Sequence, residues 1–159
     1  MAAEVGHPAP DFTLDGIDRS TGGDGAVRSF SLSAYRGTPV VLVFYPGDNT
    51  AVCTRQLNSY TEDVDRFASV GAQVLAISPQ SVESHEDFSC KQGGFAFPLL
   101  ADTDKAVGEA YGILGPLGFY RRSVFVVDAE GVLRYVHRAV AGLTFRSTDD
   151  LVEAVRAAS

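Results

Sequence analysis

Two rhythms of apolar residues run along this chain. Val40 to Tyr45 is an unbroken, largely β-branched run between Pro39 and Pro46, which is how a strand buried on both faces reads. Gln73 to Ile77 has the same character. From Thr50 to Val70 the apolar residues Cys53, Leu57, Tyr60, Val64 and Phe67 recur at spacings of three and four, predicting one helix stopped by Gly71. Ser81 to Gln92 predicts a second helix, capped by Ser81 and ended by Gly93-Gly94. Lys105 to Tyr111 is a short third helix, followed by a glycine-rich loop from Gly112 to Gly118. Ser123–Val127 and Val132–His137 flank Asp128-Ala-Glu-Gly131 and predict a hairpin, and Asp149 to Ala158 reads as a closing helix. Near the start, Phe12-Thr13-Leu14 offers a short extended piece. Asp15 to Asp24 reads as a loop or hairpin tip, and Val27 to Leu32 as the returning strand.

Strands that alternate with helices and close with a hairpin and a helix predict an α/β sheet covered on both faces. No repeat, low-complexity tract or linker interrupts the pattern, so residues 1–159 are expected to form one domain. Hydrophobic residues make up 45% and charged residues 21%, ordinary globular proportions. The net charge is −7, which disfavours nucleic acid and anionic membranes as partners because both need a basic face. No basic segment followed by an apolar stretch opens the chain, and Pro39–Pro46 is too short to span a bilayer. A cytoplasmic, reducing setting is the expectation. In that setting the two cysteines, Cys53 and Cys90, are inert core residues or redox chemistry rather than a permanent staple.

The stretch Pro46-Gly-Asp-Asn-Thr50-Ala-Val-Cys53-Thr-Arg-Gln56 puts a cysteine in the first turn of a helix leaving a buried strand. Unpaired N–H groups and the positive end of the helix dipole favour an anion there. Thr50 sits at the N-cap, where its hydroxyl is expected to point back at the same turn. A reactive thiolate alone is not enough. A cysteine whose pKa falls from ~8.5 to ~6 gains only about tenfold to thirtyfold in thiolate near neutral pH, and loses nucleophilicity as it does so. Fast displacement also needs fixed donors where charge builds on the departing group. Arg122, at the head of Ser123–Val127, is a suitable cation.

The pattern Pro46-x-x-x-Thr50-x-x-Cys53 resembles the active-site signature of the peroxiredoxins, and Arg122-Ser-Val-Phe125-Val-Val-Asp128 is similar to their arginine-bearing strand. Further agreement runs through Gly6-His-Pro8-Ala-Pro10-Asp-Phe12, Leu32-Ser-Ala-Tyr35-Arg-Gly37, Ser84-His-Glu-Asp-Phe88 and Phe97-Pro-Leu-Leu-Ala-Asp102. The nearest subgroup by resemblance is the short bacterioferritin-comigratory, or Q-type, group. The resemblance implies a thioredoxin-like fold, a central mixed β-sheet with helices on both faces and an N-terminal hairpin extension. It implies a peroxidase for hydrogen peroxide and organic hydroperoxides that works through a sulfenic acid. Cys53 would be the peroxidatic thiolate, Thr50 and Arg122 would bind and polarise the peroxide, and Pro46 would shield the pocket. Gln56 would hold Arg122, with Tyr45 also supporting. No metal, haem or flavin is implied. The electron donor would be thioredoxin or another small thiol, and the protein a monomer or weak homodimer.

Two departures matter. Ala51-Val52 stands where the family often has Pro-Gly, so the pocket entrance and peroxide preference are expected to differ. Asn58 stands where many Q-type members have a resolving cysteine, which leaves Cys90, in the Ser81–Gln92 helix, as the candidate. A bridge requires Cα atoms within roughly 7 Å, so local unwinding of one or both helices is expected. The plainer readings are that Cys90 is a small buried hydrophobe, that Arg121 is a surface charge, and that His85 lies on a helix surface. His7, His85 and His137 show no metal-ligand spacing. A thiol-disulfide oxidoreductase would want a second cysteine at position 56, which is Gln; a cysteine-histidine hydrolase would need an imidazole beside Cys53. A redox-sensing module that oxidises without turnover is the alternative outside catalysis.

Overall fold

Side-chain alternation along the strand Val40–Phe44 divides the molecule into two cores. Val41 and Val43, with Tyr45 just beyond, enter one hydrophobic cluster, whereas Val40, Leu42 and Phe44 enter the other. Every residue of this strand is buried, as the unbroken apolar run predicts. In the computed structural model residues 3–18, 26–48, 50–115, 118–139 and 145–158 are described.

In chain order the strands are β1 (Thr13–Asp18), β2 (Ala26–Ser31), β3 (Val40–Phe44), β4 (Gln73–Ser78), β5 (Leu99–Ala101), β6 (Ser123–Val127) and β7 (Leu133–Arg138). The helices are α1 (Ala51–Glu62), α2 (Val64–Ser69), α3 (Val82–Lys91), α4 (Ala106–Ala110) and α5 (Thr148–Ala157). The strands form one mixed sheet in the order β2-β1-β5-β4-β3-β6-β7. β3, β4 and β5 are parallel, and the other neighbours pair antiparallel. The fold is α/β and thioredoxin-like, with the β1–β2 hairpin extending one edge.

One face of the sheet packs against α1, α2, α3 and α5 through Leu57, Tyr60, Phe67, Phe88, Leu151 and Val155. The other is covered by the N-terminal segment, α4 and the residues after it, through Phe12, Leu32, Val107, Tyr111 and Ile113. Caps fix where two helices begin: Ser81 Oγ accepts from the Ser84 N–H and Ser147 Oγ from the Asp150 N–H, each at 3.2 Å.

Three elements depart from the sequence expectation. The single helix expected over Thr50–Val70 is two helices broken at Asp63. Tyr60 and Phe67 stay buried on either side of the break, so the apolar period runs straight through it. β5 was not anticipated, because three residues are too few to show a period. β1 continues to Asp18, through residues expected in a loop. Its Gly16 lies so close to β5 that a side-chain carbon there would sit 2.5 Å from Leu100 Cδ2 and 2.7 Å from the Leu99 carbonyl oxygen. The rest of the expected hairpin tip, and Pro116 and Leu117 of the glycine-rich loop, lie outside the described residues.

The register positions the site. Phe44 at the end of β3 pairs with Ser123 at the start of β6. The residue before β6 therefore comes up beside the end of β3, where the chain turns into α1.

Candidate active site

Tyr45 leaves β3 with its N–H on the Ile77 carbonyl at 3.0 Å, and Pro46, Gly47 and Asp48 turn the chain toward α1. Thr50 is the N-cap residue in extended conformation, and the Thr54 N–H closes the first turn on its carbonyl at 2.9 Å. Cys53 is the third residue of the helix, within the turn whose N–H groups have no partner inside the helix. Its side chain is fully buried. The Thr50 side chain does not cap the helix, contrary to the sequence expectation: its hydroxyl donates to the Gly47 carbonyl at 3.1 Å instead. Thr50 and Pro46 are both exposed, at the outer side of the turn.

Arg122 closes the constellation. Only 4% exposed, it donates from Nη2 to Cys53 Sγ at 3.1 Å and from Nη1 to Gln56 Oε1 at 2.5 Å. Gln56 in turn donates from Nε2 to the Tyr60 hydroxyl at 3.3 Å, and Tyr60 donates to the Arg146 carbonyl at 2.5 Å. Burial pushes the Tyr60 hydroxyl up to about 12, against the opposing effects of Gln56 and Arg122, so it remains a donor. Gln56 and Tyr60 lie on one face of α1, one turn apart. The guanidinium is thereby aimed through a helix face rather than through a loop. A guanidinium only donates, so the sulfur is its acceptor, and a thiolate fills that role best. A cation and a helix N-terminus converging on one cysteine are the surroundings that make a thiol reactive.

Behind the turn lies a second polar group, on the other side of Tyr45. The Tyr45 hydroxyl donates to Asp48 Oδ1 at 2.7 Å. Asp48 Oδ2 lies 2.7 Å from both Ser84 Oγ and His85 Nδ1, and His85 Nε2 lies 2.8 Å from the Leu100 carbonyl oxygen. The Asp48 N–H donates to Gln80 Oε1. Burial, followed by the neighbouring Asp48 carboxylate, holds the Tyr45 hydroxyl well above its ordinary value, so it too stays protonated. Cys90 stands apart from all of this, unbridged and exposed near the end of α3. Asn58 donates from α1 to the side chain of Gln92, just past α3, at 3.0 Å.

The family model described as the AhpC/TSA family matches residues 5–136. The chain belongs to the AhpC/TSA family. It is 37% identical to "Peroxiredoxin-2" of Rattus norvegicus, over 98% of this chain and 79% of that protein. It is 38% identical to "Thioredoxin peroxidase" of Echinococcus granulosus, over 86% of this chain and 72% of the relative. The fold matches a Plasmodium vivax 2-Cys peroxiredoxin in its reduced form, with a TM-score of 0.87 at 24% identity, over 96% of this chain and 80% of that one. It matches Mycobacterium bovis AhpC equally well, at 23% identity over 99% of this chain and 93% of that one.

The AhpC/TSA chain is a peroxiredoxin, and its activity is thiol-dependent reduction of peroxides. Of the residues singled out in its sequence, Cys53, Gln56 and Arg122 meet directly, with Thr50 and Pro46 on the turn beside them. Tyr45 joins the group behind the turn, and Cys90 joins neither. Arg121 is half-buried and donates to the Ala139 carbonyl at 3.2 Å, so it is tied down rather than a free surface charge. His85 was expected on a helix surface and is fully buried. The signal was available, since His85 lies three residues before Phe88, on the face of α3 that enters the core. Asp48, its partner, carries no periodic signal because it lies in a turn.

Proposed function

We propose that Cys53 is the peroxidatic cysteine, with hydrogen peroxide and organic hydroperoxides as its substrates. The thiolate attacks one peroxide oxygen, an S–O bond forms as the O–O bond breaks, and the departing oxygen leaves as hydroxide or alkoxide and takes a proton. The products are a cysteine sulfenic acid and water or an alcohol. The contact of Arg122 Nη2 with Cys53 Sγ at 3.1 Å carries this reading, because it sets a fixed donor against the reacting sulfur in a buried site. Arg122 and Thr50 bind and polarise the two oxygens, Gln56 aims Arg122, and Pro46 borders the entry.

Cys90 is the resolving thiol in this reading. It attacks the sulfenic sulfur, the S–O bond breaks, water leaves, and a Cys53–Cys90 disulfide forms. One cysteine is buried in the first turn of α1 and the other is exposed on α3, so the bridge requires part of one or both helices to unwind. A dithiol donor of the thioredoxin type returns both cysteines to the reduced state, as the name of the Echinococcus relative suggests by analogy. Resolution from α3 agrees with the Q-type resemblance, with a single domain acting as monomer or weak homodimer in a reducing compartment. Coupled turnover of reduced protein with thioredoxin, thioredoxin reductase and peroxide tests this reading. Wild-type protein is expected to turn over continuously, Cys53→Ser not at all, and Cys90→Ser only with an outside monothiol. Wild-type oxidation that stops after a single stoichiometric event contradicts it.

A further inference from the structure

Asp48 and His85 have fully buried side chains, and the peroxide chemistry above uses neither. Their hydrogen-bond partners fix how many protons they hold. The Leu100 carbonyl can only accept, so His85 Nε2, 2.8 Å away, carries a hydrogen. Nδ1 lies 2.7 Å from Asp48 Oδ2. Two bare lone pairs repel at that distance, so a proton lies between them, on the ring or on the carboxyl. The Tyr45 hydroxyl is not its source, because it donates to the other carboxylate oxygen at 2.7 Å and is 3.4 Å from Nδ1. The pair therefore holds one proton more than a free carboxylate and a neutral imidazole would.

The pair also sits at a junction. Asp48 is two residues from both Pro46 and Thr50, in the turn that borders Cys53. His85 belongs to α3, and its other nitrogen reaches β5. One bridging proton thus ties the catalytic turn to a helix and to the sheet behind it.

We propose that Asp48 and His85 are positioning residues that hold the Pro46–Thr50 turn in its reactive geometry through this shared proton, and that removing either partner slows the reaction of Cys53 with peroxide. Without the proton, Asp48 Oδ2 and Nδ1 face each other as lone pairs and the turn shifts away from α3. Tyr45 at the end of β3 is the titratable group in contact with the pair, and Cys53 in α1 neighbours Tyr45 in turn, with the Arg122 guanidinium on its sulfur. Tyr45 stays protonated for the reasons given above. Glu86 and Asp87, on α3, are exposed.

The test is the second-order rate constant for Cys53 oxidation by hydrogen peroxide, measured by stopped flow. His85→Ala and Asp48→Ala are expected to slow the reaction roughly tenfold, as displacement of a positioned group does. Asp48→Asn replaces the shared proton with an amide hydrogen, donating to Nδ1 while the amide oxygen still accepts from Tyr45. It is expected to recover much of the rate lost in Asp48→Ala. An Asp48→Ala variant as fast as wild type, or an Asp48→Asn variant no faster than Asp48→Ala, overturns the proposal. A measurement on the wild-type protein stands whether or not the variants fold: proton NMR should show a strongly downfield resonance from the shared proton, correlated with the His85 ring. Absence of that resonance overturns it equally. The proposal rests on Cys53 as the reacting thiol, and the two fail differently. Absence of any Cys53 oxidation in wild type removes that reading, whereas oxidation at an unchanged rate in Asp48→Ala removes this one.

Discussion

Arg122 touches both the candidate nucleophile and the glutamine that aims it, which makes it the most consequential side chain after Cys53 itself. Arg122→Ala removes a fixed donor from a buried site and is expected to lower the second-order rate with peroxide by at least ~100-fold. Arg122→Lys keeps the charge but not the fork, so it cannot serve Sγ and Gln56 together and should recover little of that loss. Stopped-flow oxidation kinetics measure both, and near-wild-type activity in Arg122→Ala would identify the wrong arginine. At this scale Cys53, Gln56 and Arg122 were legible because their spacing matched a known pattern. The true hydrogen bond of Thr50 was not, because an N-cap hydroxyl has more than one acceptor within reach and only the backbone path of the turn decides between them. His85 was misplaced although its spacing to Phe88 puts it on the buried face of α3, because the acidic residues beside it suggest a solvated stretch.

The moving element in the proposed cycle is the end of α3. Ser81 caps its start, and Ser84 and His85 tie its first half to Asp48, whereas Cys90 near its end is exposed. Unwinding should therefore be confined to the stretch from Ser89 onward. Asn58 holds that end to α1 through Gln92. Asn58→Ala removes one half-buried hydrogen bond worth about 1 kcal/mol. It is expected to speed formation of the Cys53–Cys90 disulfide roughly threefold to tenfold without changing the rate of the first oxidation, as read by quenched-flow mass spectrometry. Amide exchange should rise in Thr54–Leu57 and Ser89–Gln92 on oxidation and stay unchanged in Val82–His85. Equal exchange in both states of a protein shown to be bridged would count against unwinding. Helix α3 was legible to within a residue because its cap, its apolar face and its terminating glycines agree. The break at Asp63 was not, since the buried face resumes in register beyond it.

For the molecule as a whole, stability rests on the two cores separated by the sheet. Phe125 is fully buried and packs against both Phe44 and Tyr111, with ring centroids at 5.5 and 5.0 Å. Phe125→Ala is expected to cost about 3–5 kcal/mol in denaturant unfolding. A loss under 1 kcal/mol would mean that this core is not a single packed unit. Acid stability has its own anchor in Asp128, at the turn between β6 and β7. Burial alone would raise its carboxyl, but the Val132 N–H, Arg134 and the Glu130 N–H outweigh that and hold it below its ordinary value. A depressed carboxyl contributes stability above its unfolded value and loses it as pH falls through the folded one. Asp128→Asn should therefore destabilise the protein near neutral pH and narrow the difference from wild type in acid. A difference that stays constant with pH would contradict this assignment. The α/β class and the two-faced burial of β3 were legible because they follow from local alternation. Strand order was not, since the pairing of β1 with β5 joins segments distant in sequence and leaves no local signal.

The measurement that bears most directly on the account is the peptide map of reduced protein quenched at increasing times after stoichiometric hydrogen peroxide. The account predicts that oxygen appears first on Cys53, trapped as a sulfenic acid. It is then replaced by a Cys53–Cys90 cross-link two hydrogens lighter than the reduced protein. Oxygen that arrives first on Cys90, or a Cys53 that stays reduced while the peroxide persists, would contradict it.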